Sequence, residues 1–111
     1  MTLFQKIIDK EIPAKIIYED DLSLVFEDIN PQAPTHLLII PKKPIVKISD
    51  VVEEDKELMG HLIWVAGEVA RKIGVEDAFR LVVNNGAKAG QSVFHVHVHL
   101  LSGRPFLWPP G

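Results

Sequence analysis

The spacing of apolar residues changes period several times along this chain, and each change marks an element. Near the start, Phe4, Ile7 and Ile8 fall on one side of a helix. Thr2 followed three residues later by Gln5 reads as a capping box, and Pro13 sets the latest end. Ile16–Glu19 and Leu22–Phe26 read as two strands about a turn at Asp20-Asp21. Asn30-Pro31 and Pro34 then break the chain. His36–Ile40 follows as a nearly continuous apolar run, the pattern of a central strand ending at Pro41.

Pro44–Ser49 reads as a loop or an irregular edge, and Ser49 or Asp50 is placed to cap a long helix. Glu53, Glu54 and Asp55 suit its positive end. Leu58, Leu62, Val65, Ala66, Val69 and Ile73 recur at helical spacing, and Gly74 is a good stop. Trp64 falls on the opposite, polar side, with Gly60 and Gly67 one turn away on either side. Phe79–Asn84 reads as a strand, Asn85–Gly90 as a loop and Val93–Leu101 as the last strand. Pro105, Pro109 and Pro110 keep the tail irregular. No repeat or linker divides residues 1–111, so one domain is expected. Strands without regularly interposed helices predict an α+β fold, an antiparallel sheet of about five strands with one short and one long helix.

Composition narrows the function classes. The formal charge of −3 gives no basic footprint for a nucleic-acid polymer. The absence of cysteine removes disulfides, thiol catalysis and thiolate metal sites together. No apolar stretch approaches the length of a membrane span or a secretory leader, and a cytoplasmic location is expected.

The chemistry is concentrated in His95, His97 and His99. On a strand these would share one face, with Phe94, Val96, Val98 and Leu100 on the other. A solvated polar face normally mixes residue types, whereas three imidazoles can supply a nucleophile, hydrogen-bond donors and an acid in one place. A metal site competes, since two histidines at i and i+2 can share an ion. The outer pair would be separated by roughly 13 Å of strand, however, and further ligands would have to come from Asp28 or His36. Gly86 and Gly90 permit a nest of backbone N–H groups for an anion, and Ser92 stands close to the first histidine.

Gln91-Ser92-Val93-Phe94-His95-Val96-His97-Val98-His99-Leu100-Leu101 resembles the histidine-triad motif, alternating histidine with apolar residues. The chain is similar to the HINT branch of that superfamily, the histidine triad nucleotide-binding phosphoramidases, over nearly its whole length. Phe4 with Ile7–Pro13, Phe26–Ile29 with Pro31–His36, Val82–Asn84 and the terminal Trp108-Pro109-Pro110-Gly111 also match. The resemblance implies a HIT-like fold, a homodimer whose sheets join, and no required metal or cofactor. It implies that His97 is the nucleophile, that His99 and His95 hold the phosphate, and that one of them assists proton transfer. His36 would complete a proton relay, and Ser92 and Asn84 would donate near the phosphate and ribose. Asp28 would accept from the ribose hydroxyls; Ile29, Phe26, Phe4 and Ile7 would enclose the purine. Gln91 and Trp108 belong to the same nucleotide-binding set. Lys88 stands where relatives often carry an acidic residue. The implied partners are a purine nucleoside monophosphate and its amidates. Hydrolysis of dinucleoside polyphosphates and a non-catalytic nucleotide-binding scaffold are the alternatives.

Overall fold

The computed structural model describes Met1–Gly111. Helix α1 (Leu3–Ile8) is followed by strands β1 (Ile16–Glu19), β2 (Ser23–Glu27) and β3 (Thr35–Pro41), the long helix α2 (Lys56–Ile73), β4 (Arg80–Val82) and β5 (Val98–Ser102). The five strands form one sheet in the order β1-β2-β3-β5-β4, every neighbouring pair antiparallel. The chain lays down β1 to β3 in sequence, and α2 then carries it across to the far edge at β4.

The two sheet faces explain the unbroken apolar run in β3. Leu37 and Ile39, with Val25 from β2 and Leu100 from β5, pack under α2 through Leu62, Val65, Ala66 and Val69. Leu38 and Ile40, with Leu24 and Phe26, pack under α1 through Phe4 and Ile7. Both faces of the central strands are thus covered, and alternation between apolar and polar residues disappears there. On α2, Leu62, Val65, Ala66, Val69 and Ala70 are buried, as the helical spacing requires. Ile73, expected on the same face, lies in the last turn of α2 and is 39 % exposed.

Helix boundaries differ from expectation in two places. Thr2 caps α1 by accepting from the Gln5 N–H at 3.1 Å, but the Gln5 side chain turns forward to Asp9 instead of completing the box. The segment after Pro44 does not enter α2 at Ser49 or Asp50. It makes two short 3-10 turns, Ile48–Asp50 and Glu53–Asp55, and α2 begins at Lys56. Asp55 is buried and paired with Lys43 at 2.5 Å, which ties the start of α2 to the exit of β3. Gly74 ends the helix at φ +78°, and its N–H returns to the carbonyls of Ala70 and Arg71. No helix is long and apolar enough to cross a membrane.

Candidate active site

The register between β3 and β5 sets the first half of the site. Leu38 lies opposite His99, and His36 lies opposite Leu101. His36 and His99 are therefore diagonal neighbours on the face beneath α1, within reach of each other. His36 Nε2 and His99 Nδ1 are 2.9 Å apart. Which of them donates follows from one backbone contact. The Gln32 N–H donates to His36 Nδ1 at 3.0 Å, so a neutral His36 carries its proton on Nε2. His36 then donates to His99 Nδ1, and neutral His99 is left with its proton on Nε2. Asp28 stands beside this pair: one carboxylate oxygen accepts from the Asn30 N–H at 2.8 Å, and the other is 3.5 Å from His36 Nε2.

The other two histidines correct the expectation of a nine-residue strand. Regular pairing starts at Val98, so His95 and His97 precede β5 instead of alternating along it. Extending the observed register backwards would set His95 against Lys42 and Val93 against Pro44. Pro41 and Pro44 have no N–H to give to a ladder there. Instead the Val96 N–H donates to the Ile45 carbonyl at 2.7 Å, while the N–H groups of Ser92, Val93, Phe94 and His95 have no protein acceptor. Phe94, expected to share the buried face, is 46 % exposed.

His97 turns its Nδ1–H back onto the His95 carbonyl at 2.7 Å. Nε2 of the neutral ring is consequently the lone pair free for chemistry. The ring stands edge-on to Phe4 (centroids 5.0 Å apart, planes at 89°) and 4.9 Å from the His99 ring. His95 is 1 % exposed and uses Nε2–H to reach the Pro41 carbonyl at 2.7 Å. It closes the end of β3 and supports, from behind, the chain that presents His97.

These groups border a cavity of about 390 Å³. His36, His97, His99, Ser92 and Asp28 line it together with Phe4, Ile7, Phe26 and Ile29. Ile29 is 92 % exposed, an apolar side chain left in water at the rim. Four other residues of the expected set lie outside the lining: His95, Asn84, Gln91 and Trp108. Gln91 is buried, accepting from the Gly86 N–H at 2.8 Å and donating to the carbonyls of Val46 (2.7 Å) and Val93 (3.1 Å). It staples the glycine loop in front of Ser92. Asn84 sits against that loop, its side-chain nitrogen 3.6 Å from the position a Cβ on Gly90 would take. Trp108 is 82 % exposed on the tail. Gln32 carries no signal in the sequence, because its backbone and not its side chain fixes His36.

Burial makes His36, His95 and His99 poor bases. It pushes His99 down to about 4, with His97 and His36 adding to the effect and Asp28 opposing it. Burial likewise lowers His36, against the pull of Asp28, and lowers His95, against the Pro41 carbonyl. His99 is thus a neutral hydrogen-bond donor at neutral pH.

Asp28, His36 and His99 are also the one group whose ligand atoms, within 4.8 Å of one another, could hold a metal ion. Two imidazole nitrogens on one zinc, each at about 2.0–2.1 Å, would stand roughly 3.3 Å apart in a tetrahedral arrangement. The observed 2.9 Å is a hydrogen-bond length. With Gln32 holding the other His36 nitrogen, the pair is spaced for a shared proton.

A HIT domain family model matches residues 9–106. The chain belongs to the HIT family. A HIT-like protein of Synechocystis sp. is 61 % identical over 110 residues, covering 99 % of this chain and 96 % of the relative. A maize protein named as a 14 kDa zinc-binding protein is 52 % identical over 112 residues, covering 99 % and 88 %. Among solved structures, a HIT family hydrolase from Legionella pneumophila superposes with a TM-score of 0.97 at 49 % identity, each chain covered in full. A histidine triad nucleotide-binding protein from Candida albicans gives 0.85 at 28 % identity, covering 100 % of this chain and 85 % of that one. The fold is the HIT fold, five antiparallel strands with one short and one long helix.

Proposed function

We propose that this HIT protein is a nucleotide hydrolase of the HINT type, cleaving the P–N bond of purine nucleoside 5′-phosphoramidates. The observation that carries the reading is the orientation of His97. Its Nδ1–H is held by the His95 carbonyl. Nε2 is therefore the nucleophilic atom, on a ring that borders a cavity lined also by apolar side chains and the Asp28 carboxylate. The apolar wall of Phe4, Ile7, Phe26 and Ile29 suits a purine, Asp28 a ribose diol, and the histidine end a phosphoryl group.

In the first step His97 Nε2 attacks phosphorus, the P–N bond breaks and the departing nitrogen takes a proton from solvent, so that it leaves as the amine. The His99 Nε2–H, oriented through His36, and the Ser92 hydroxyl donate to the phosphoryl oxygens as charge develops there. The unpaired N–H groups from Ser92 to His95 are further neutral donors in the same segment. Water then displaces His97 and supplies the proton that the amine removed. His95, buried behind His97, acts by holding the backbone that presents it.

The active species in this reading is a homodimer in the cytoplasm, with Trp108 reaching toward the partner's cavity. The test is turnover of an adenosine phosphoramidate by the wild type and by His97→Ala. Turnover should fall below detection in the variant while adenosine monophosphate still binds, because the other donors remain. Wild-type-like turnover by His97→Ala would overturn the reading.

A further inference from the structure

In the hydrolase reading this cavity takes a phosphoryl group, yet no lysine or arginine lines it. Its one carboxylate is that of Asp28, since Glu27 lies opposite Leu37 and turns its side chain to the α2 face. The basic side chains nearest in sequence are engaged elsewhere or stand outside. Lys15 lies outside the lining, 3.5 Å from Glu27. Lys10 and Lys42 both pair with Glu19, at 2.7 and 2.8 Å. Arg104 donates to the carbonyls of Gln32 and Pro105. Lys88 is exposed on the turn before Ser92 and is not part of the cavity wall. His36 and His99 do not replace the missing cation, because burial keeps both neutral near pH 7. What faces a phosphoryl group is a set of uncharged donors: the imidazole N–H of His99, the hydroxyl of Ser92 and backbone N–H groups.

Uncharged donors hold one negative charge well. They do not offset a second one placed in a partly enclosed cavity beside the Asp28 carboxylate, where water screens poorly. We propose that this cavity selects its phosphoryl ligand by charge, preferring the single negative charge of a diester or amidate to the double charge of a free monophosphate. The preference deepens the hydrolase reading and rests on it. A singly charged amidate plus water gives a doubly charged monophosphate and a protonated amine, so turnover converts the better ligand into the poorer one. Product release is then driven by the same electrostatics that admit the substrate. The site also discriminates against free monophosphates, which would otherwise occupy it.

Calorimetric titration of the wild-type protein at pH 8 with adenosine 5′-monophosphate and with its phosphate methyl ester tests this. The second ionisation of a phosphate monoester lies near pH 6, so the first ligand is doubly and the second singly charged. The methyl group occupies the direction of the departing amine, where the hydrolase reading requires room. The ester should bind at least three times more tightly. Any smaller advantage, or tighter binding of the free monophosphate, overturns the charge preference while leaving the nucleotide reading intact. Binding of neither ligand removes the nucleotide reading itself, and the charge preference with it.

Discussion

Single contacts at the site decide which atoms can react. The Gln32 N–H fixes the His36 tautomer, His36 fixes His99, and the His95 carbonyl fixes His97. The same burial that keeps His36 and His99 neutral links them to folding. His99 is lowered from about 6.5 to about 4 in the folded chain, so between those values the unfolded state binds more protons. Stability therefore rises with pH across that window and is lost as pH falls through it. His36 and His95, lowered in the same direction, add to the slope. Urea midpoints measured from pH 4 to 7 should climb with pH, and His99→Gln should flatten the climb. An unchanged slope in that variant would mean His99 is not held neutral in the fold.

At the scale of elements, the corner after β5 links the end of the sheet to the segment that carries Asp28, Ile29 and His36. Gly103 has φ +97°, and a Cβ there would stand 2.8 Å from Pro34 Cβ. Arg104, next in the chain, donates to the Gln32 carbonyl at 3.0 Å. Gly103→Ala should destabilise the protein by about 2 kcal/mol, through backbone strain and displacement of a rigid proline ring. A thermal midpoint equal to wild type would show the corner to be slack. This corner was not legible beforehand, since a positive φ and a long-range contact leave no periodic trace. The order of elements and the core face of α2 were legible, because burial on a regular element repeats at 3.6 or 2 residues. The histidines were legible as a group but not as geometry. Alternation placed all three on a strand, whereas the prolines at 41 and 44 and the Val96–Ile45 hydrogen bond end the ladder at Val98. The division of His95 from the cavity follows from that, and no spacing rule reports it.

For the whole molecule, two surfaces favour the proposed dimer. β4 is an edge strand paired only with β5, and its other side is open to continue the sheet. On α2, Trp64 and Ile63 are 55 % and 52 % exposed. Trp64 stacks on His61 at 5.8 Å, and His61 is anchored to Asp20 at 2.7 Å, so the indole is held in place while one face stays in water. Nothing in the chain lies within 4 Å of a Cβ placed on Gly60, and at Gly67 only the Arg71 side chain does. The glycines thus leave room for a second helix, and each costs about 1 kcal/mol of helix stability relative to alanine. Sedimentation at micromolar concentration should give a single dimeric species, weakened by Gly60→Glu with Gly67→Glu. A fully active wild-type monomer would remove the dimer and any role for the partner's Trp108.

The central claim is that His97 Nε2 forms a bond to phosphorus. Rapid alkaline quench of the protein with an adenosine phosphoramidate, which preserves an acid-labile phosphorus–imidazole bond, followed by intact-mass and peptide mass spectrometry, tests it most directly. A transient gain of one nucleoside monophosphoryl group, mapped to His97 and absent from His97→Ala, is the expected result. Steady turnover with no adduct at any time, or an adduct on a different residue, would contradict it.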